Sequence, residues 1–504
     1  MTSFDENGKY IKTNWKNGDR ITADKLNKIE ESIEAVNDND ISRHVETDTR
    51  LDALEAKADI ENIIYFNSVN ELNVASNGVD ITEPLQTLIN NLPATKSNVI
   101  VIPSGTYKIN GLNLISNLTL EISDNANIIT DNNSTFILKN LRNVTIKGGN
   151  FNGSKYNGIF IVRVRDCVNI KVDGIKGCSY KTGITVTNSN ECRIINNTFS
   201  DLADSSGGIG ITFEKSTNCF ASYNKIDNVY QDCILVYDNS KNIIITNNIC
   251  SNWNREIDQG RAGIQVYWST DCIVSNNICY IDENIVFDSR ATEIAIRARD
   301  CDNVKIDNNY VYGTNGTGIE SIILNDCPHA TFTQNNISIT NNTVLNTGIY
   351  GIVCSKAATS NVHPLKHIIC NNIIENVAWR YSNGAGTGIY SDARISIISN
   401  NIVSNCDDIG ICAKFNAKIT NNHITNIGIG IGGNTGAQKS GIFVNGTGQE
   451  ILFNTIEDSK DKKTMAYAIK QYGTDASCIV FGNTYIGGLT NRKDGTFLLP
   501  NQNV

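Results

Sequence analysis

An asparagine pair that keeps returning constrains this chain more than any other feature. Asn196-Asn197 recurs, whole or as a close variant, at Tyr223-Asn224, Asn247-Asn248, Asn276-Asn277, Asn308-Asn309, Asn341-Asn342, Asn371-Asn372, Asn400-Asn401, Asn421-Asn422, Phe453-Asn454 and Gly482-Asn483. A second marker, Gly-Ile or its equivalent, alternates with it at Gly158-Ile159, Gly183-Ile184, Gly210-Ile211, Cys233-Ile234, Gly263-Ile264, Glu293-Ile294, Gly318-Ile319, Gly351-Ile352, Gly388-Ile389, Gly410-Ile411, Gly441-Ile442 and Ala468-Ile469. The spacing wanders between roughly 21 and 37 residues, within the range of solenoid repeats. Each unit holds two or three alternating runs of about five residues, rich in Ile, Val and Thr and too short for helices. Strands of this kind, separated by Asn and Gly turns, predict an all-β chain wound as a right-handed parallel β-helix of about a dozen rungs. Asn tolerates the left-handed backbone that tight corners need, and stacked Asn side chains can hydrogen-bond along the stack.

Cys167, Cys192, Cys219, Cys272, Cys301 and Cys327 fall at one slot of the repeat. Copies stacked about 4.8 Å apart make an interior column of small apolar thiols. Such a column is too regular for a selective metal site, so neither metal nor cofactor is expected. Fifteen cysteines follow an opening, Met1 to Glu6, that lacks the apolar core of a secretory signal. Reduced thiols are expected rather than a disulfide framework. No apolar run reaches the roughly 18 residues of a membrane span. A net charge of −9 with scattered Lys and Arg argues against a nucleic-acid surface. These features predict a protein made in the cytoplasm without a signal peptide, with neither membrane nor nucleic acid as partner.

Four segments are expected. Residues 1–62 include a helical stretch from Thr22, an N-cap residue type, with Leu26, Ile29, Ile33 and Val36 on a narrow seam, which suits a coiled coil of identical chains or a docking partner; the alternative is a helix lying on its own β-helix. Residues 63–108 carry a short helix begun by Thr82 with Pro84 in its first turn, then the strand Val99 to Ile102. Residues 109–486 hold the rungs, and 487–504 form a short tail. The run Thr82-Glu83-Pro84-Leu85-Gln86-Thr87-Leu88-Ile89, followed by Val101-Ile102-Pro103-Ser104-Gly105-Thr106-Tyr107, resembles the opening of the pectate-lyase-like β-helix superfamily, whose helix caps the first rung. Trp15 to Glu30 is similar to the N-terminal attachment segment of tail and appendage proteins from phages of Gram-positive bacteria. The two resemblances imply a virion tailspike or receptor-binding protein, usually a homotrimer, held to the baseplate by its N-terminal segment.

Alternation places some side chains of each Gly-Ile strand outside. The Ile and the apolar residue two later are expected inward, the Gly slot and the positions two and four after it outward. The outward map then gathers polar, aromatic and charged groups between residues 210 and 322. Glu214, Tyr237, Asp238, Gln265, Tyr267, Trp268, Glu293, Arg297 and Glu320 come from strands, while Asp232, Asp258 and Arg261 come from the loops that enter them. Aromatic rings with carboxylates and Arg in an open groove suit a saccharide. Glu293 and Glu320 are expected one rung apart and two residues offset, roughly 8 Å, within the inverting range for glycoside hydrolysis. Arg297 beside them could hold an acidic sugar, or could form a surface ion pair with Glu320. Glu214 and Asp232 are further catalytic candidates; Tyr237, Asp238, Asp258, Arg261, Gln265, Tyr267 and Trp268 are substrate-binding candidates. Tyr230-Gln231-Asp232-Cys233-Ile234 resembles the paired-aspartate strand of polygalacturonase-type hydrolases, with Gln231 in place of one aspartate. The five histidines do not gather on this face, which disfavours a His-dependent lyase. The expected function is binding and depolymerisation of a host cell-surface polysaccharide or teichoic acid, by hydrolysis rather than elimination. The alternative is a carbohydrate-binding tail adhesin without catalysis.

Overall fold

The computed structural model describes residues 60–65, 77–203, 207–254, 261–282, 293–324, 332–357, 360, 362–377, 386–429, 439–446, 448–459, 464–472, 478–487, 491–494 and 497–498. The expected helical seam from Thr22 to Val36, the loop residue Asp258 and Cys327 lie outside them.

Within Ile63–Val504 the strands form three parallel ladders, so each turn of the chain crosses three faces. The first ladder is a 15-stranded sheet in chain order, from Leu112–Asn113 to Asn491–Asp494. The other two share the long strands Leu118–Ile129 and Arg142–Asn152, which run through the corner between them. The chain is an all-β parallel β-helix, as its repeats predict. Strands at Ser97–Ile102 and Gly105–Lys108 already belong to it, and strands at Asn491–Asp494 and Phe497–Leu498 carry the ladders into the expected tail. The helix Thr82–Asn90 forms as read, burying Leu85 and Ile89. Its Thr82 Oγ1 accepts from the Asn110 amide at 2.8 Å, and Gln86 Oε1 accepts from the Asn113 amide at 2.8 Å. The helix is thereby fixed to the chain that leads into the first ladder.

The asparagine pair works as two parts. Its first residue takes the left-handed conformation, as at Asn276 (φ 56°) and Asn308 (φ 53°), and turns the corner between the second and third ladders. The second residue points inward and stacks. The Asn277 amide and Nδ2 both donate to Asn309 Oδ1 at 3.0 Å, and Asn309 repeats this toward Asn342. The stack runs from Asn197 to Asn483.

Pairing in the first ladder aligns Ile184, Ile211, Ile234, Ile264, Ile296, Ile319, Ile352, Ile389, Ile411, Ile442 and Ile469 as one inward column. Two markers therefore move. Val162, not Ile159, stands in the column, below Phe136 and Leu112, and Ala295-Ile296 replaces Glu293-Ile294. The slot before the Ile also points inward rather than out. A Cβ on Gly318 would lie 2.3 Å from Val344 Cγ1 and 2.6 Å from the Gly351 carbonyl. Cys233, Ala295 and Ala468 fill the same slot and are fully buried.

The cysteine column divides as well. Bridges from Asn190 to Thr217 and from Thr270 to Asp302 set Cys192, Cys219 and Cys272 in one slot. Cys167 and Cys301 fall in a neighbouring slot otherwise filled by Ser189, Ser216, Ser240 and Ser269. There the Cys301 Sγ donates to the Arg299 carbonyl, just as Ser216 Oγ donates to that of Glu214. Every described cysteine is a free thiol.

Candidate functional site

On the outer face of the first ladder, each strand presents the residues one and three after the inward Ile. Gln265, Arg297, Glu320, Val353 and Tyr390 follow one another in register along one such column. Tyr267, Arg299, Ile322 and Ser355 form the parallel column. The repeats set these positions, and nothing in the core dictates their identity. They are free to differ rung by rung.

A groove of about 570 Å³ opens over this face, lined by Arg297, Glu320, Tyr350, Tyr390, Asp392 and Lys414 among others. Arg297 Nε donates to Glu320 Oε2 at 2.5 Å, with both side chains mostly covered. The surface ion pair envisaged for these residues is present, and it stands in the groove wall. Tyr350 and Tyr390 lie with ring centroids 5.8 Å apart. Tyr390 also packs against Ile409, Cys412 and Phe443, a small apolar cluster separate from the main core. Burial pushes the Tyr390 and Tyr350 hydroxyls up, aided by Asp392 near the first and by Cys412 and Glu320 near the second.

Asp392 is the other carboxylate of the groove. Its Oδ1 accepts from the Lys356 amide at 3.1 Å, and its carbonyl accepts from His363 Nδ1 at 3.3 Å. Burial raises its carboxyl above the ordinary carboxylate value, against the opposing pull of Lys414, His363 and Lys356. The Lys414 ammonium lies 5.1 Å from the Tyr390 ring centre.

The sequence-derived candidates separate in this frame. Arg297 and Glu320 reach the groove. Gln265 shares their column but is almost completely buried. Tyr267, Trp268 and Arg299 form a second outer group: the Tyr267 and Trp268 rings are 4.1 Å apart, and the Arg299 guanidinium lies 4.3 Å from the Tyr267 centroid. Glu214 and Tyr237 are register neighbours further back, with Thr187 Oγ1 donating to Glu214 at 3.0 Å. Asp238 pairs with Lys215 at 2.9 Å. Arg261 is half-buried where the chain re-enters the ladder, its carbonyl accepting from the Ile294 amide.

Glu293 and Asp232 do not face the groove. Both are fully buried. Glu293 Oε2 accepts from the Asn315 amide at 3.1 Å, and Asp232 Oδ1 from the Ala262 amide at 2.8 Å. Each carboxylate satisfies a backbone donor where the next rung begins, a corner that otherwise leaves an N–H without a ladder partner. Because Ile294 pairs with Thr317 and Arg297 with Glu320, Glu293 lies four residues from the Glu320 level. Ladder spacing then puts their Cα atoms about 14 Å apart, not the roughly 8 Å expected. The slip of two residues at Ala295 is the cause.

A family model described as the right handed beta helix region matches residues 97–279 and 209–364, together just over half of the chain. The chain belongs to the right-handed β-helix family. No curated protein sequence matches it. Solved structures similar to it include the family 28 exopolygalacturonase of Yersinia enterocolitica, at 14% identity and TM-score 0.45, covering 86% of this chain and 79% of that one. The tailspike protein of E. coli bacteriophage HK620 in complex with pentasaccharide is similar at 14% identity and TM-score 0.44, with 84% and 76% covered. The GH87 α-1,3-glucanase catalytic unit of Streptomyces thermodiastaticus is similar at 13% identity and TM-score 0.47, with 83% and 68% covered. At these levels the likeness is one of fold.

In this β-helix the sequence reading missed Tyr350, Tyr390, Asp392 and Lys414. Their signal was available: Tyr390 immediately follows Gly388-Ile389, and Lys414 lies three residues after Ile411. The outward map stopped at Ile322, and the groove lies across that limit. Among the described residues no group of three His, Cys, Asp or Glu side chains is placed to hold a metal ion, and no helix is long and apolar enough to cross a membrane.

Proposed function

We propose that this β-helix is the body of a phage tailspike, a homotrimer fixed to the virion by its N-terminal segment, that binds and depolymerises a cell-surface polysaccharide or teichoic acid of a Gram-positive host. The observation that carries the reading is the groove that joins the Arg297–Glu320 pair, two tyrosine rings and the desolvated Asp392 on one open face. Tyrosine rings offer an apolar surface to a sugar face and hydroxyls to its edge. Two carboxyl groups in different surroundings supply an acid and a base. Asp392, raised by burial, carries the proton to the departing glycosidic oxygen. Glu320 takes a proton from the attacking water, and the C–O bond breaks as the new one forms.

The ion pair favours one second reading. Arg297 occupies Glu320 at 2.5 Å, and in a non-catalytic adhesin that pair would only shape the surface. Incubation with cell-wall and capsular polysaccharides, following reducing ends and absorbance near 235 nm, decides between them. Glu320→Gln is expected to lower release of reducing ends by at least ~100-fold while leaving binding within about threefold. Unchanged cleavage would remove Glu320 from the chemistry, new absorbance would mean elimination, and binding with neither signal would favour the adhesin.

A further inference from the structure

The charges at one edge of the groove point to the class of polymer it takes. Lys356, Asp392 and Lys414 come from three successive rungs, since Tyr350 pairs with Thr387 and Ser391 with Ala413. The order is cation, carboxylate, cation. Lys356 Nζ donates to the Ser360 carbonyl at 2.6 Å, one of three donors on that ammonium. Lys414 is held over Tyr390, the ring offered to a sugar face. Arg297 is neutralised by Glu320. The edge therefore carries two cations against one carboxylate, in a chain whose net charge is −9. A neutral sugar gives two lysines no reason to stand beside its stacking ring, whereas an anion is held by charge-assisted hydrogen bonds.

We infer that the groove takes an anionic saccharide polymer, whose negative group, a carboxylate or a phosphodiester, is held by Lys356 and Lys414 while Tyr350 and Tyr390 carry the ring. This rests on the saccharide-groove reading above and adds the charge of the repeat. Asp392 makes the arrangement pH-sensitive. The groups around it are Lys356 and Cys354 from the preceding rung, His363 from the turn, Tyr390 on its own strand, and Lys414 and Cys412 from the following rung. An anion bound between the lysines repels the Asp392 carboxylate and draws a proton onto it. Binding tightens as Asp392 takes up its proton with falling pH, and Asp392→Asn, which removes the charge, tightens binding and flattens that dependence.

The test uses the full chain and cell-wall polysaccharide fractions from Gram-positive bacteria, each assayed native, carboxyl-reduced and dephosphorylated with hydrofluoric acid. Loss of binding on carboxyl reduction identifies a uronate-type repeat, and loss on dephosphorylation a phosphodiester; either supports the inference. Lys414→Gln and Lys356→Gln are each expected to weaken binding of the native fraction by about tenfold or more, with circular dichroism unchanged. Equal binding of all three forms, insensitive to both lysine substitutions, would overturn the anionic polymer and leave a neutral-saccharide groove standing. Failure to bind any native fraction would overturn the groove reading itself, and this inference with it.

Discussion

Two regions of the same rungs follow opposite rules. At the corner between the second and third ladders the same residue recurs from Asn197 to Asn483, each amide and side chain donating to the next. On the outer face of the first ladder, Gln265, Arg297, Glu320, Val353 and Tyr390 occupy one column and no two are alike. The corner is repeated because its geometry is repeated: a buried backbone donor must be met on every rung. The outer face answers to no such demand, so its variation is available for recognition. Stability should therefore concentrate at the repeated positions and activity at the varied ones.

The largest effect is expected at the corner. Asn309→Ala would leave the Asn277 amide and Nδ2 without their acceptor, and the Val274 carbonyl without its side-chain donor. Buried groups left unpaired cost roughly 1–3 kcal/mol each, so a loss of about 4–5 kcal/mol is expected in denaturant unfolding. A loss below about 1 kcal/mol would break the comparison.

A second test lies directly behind Glu320. His367 fills a slot held by Ile337 and Ser396 on neighbouring rungs, and its Nε2 lies 2.6 Å from Ser321 Oγ. Gln334 Nε2 donates to that same oxygen at 2.8 Å, which leaves the serine proton and one lone pair for the imidazole. Burial lowers the His367 pKa to about 3. The folded state then binds fewer protons than the unfolded state between pH 6.5 and about 3. The stability from this group is complete above pH 6.5 and is lost as pH falls through that window, roughly 3 kcal/mol by pH 4. His367→Gln should flatten the acid limb of the stability curve by that amount, and an unchanged limb would mean that His367 is charged when folded.

The inward Gly slot gives a smaller and paired effect. Gly318→Ala forces a methyl against Val344 and the Gly351 carbonyl, at a cost of about 2–3 kcal/mol. Ala295→Gly, one rung earlier in the same slot, should cost only about 1 kcal/mol, because that rung already accommodates the methyl. Equal costs at both sites would show that the slot is not set by crowding.

The contrast also explains what could be read from the sequence. Corner asparagines, inward isoleucines and the helix begun at Thr82 were legible because each obeys a local rule that recurs. The register failed at Ala295, where the Gly-Ile marker is absent and Glu293-Ile294 imitates it two residues early. Glu293 and Asp232 misled for a related reason. A carboxylate that meets a buried backbone donor has the same letter as one that meets a substrate, and only pairing shows which way it points. Tyr390 and Asp392 carry the same Gly388-Ile389 marker and were missed only because the outward map stopped at Ile322; their convergence with Glu320 shows in the pairing of the rungs.

The smallest stability effect is expected in the groove, and its sign is the informative part. Asp392 has a raised folded-state pKa caused chiefly by burial. Between the unfolded value near 3.9 and that raised value, the folded state binds more protons, so its stability falls as pH rises through the window. Above that window the carboxylate is thus a net cost to folding. Asp392→Asn keeps an oxygen for the Lys356 amide and removes the desolvated charge, so stability at pH 7 should stay level or rise by up to ~1 kcal/mol while release of reducing ends is lost. A side chain that costs stability and whose neutral replacement abolishes turnover marks a site held for chemistry. If Asp392→Asn instead lowered stability by more than about 1 kcal/mol with cleavage intact, Asp392 would belong with Glu293 and Asp232, as a carboxylate that holds the next rung in place.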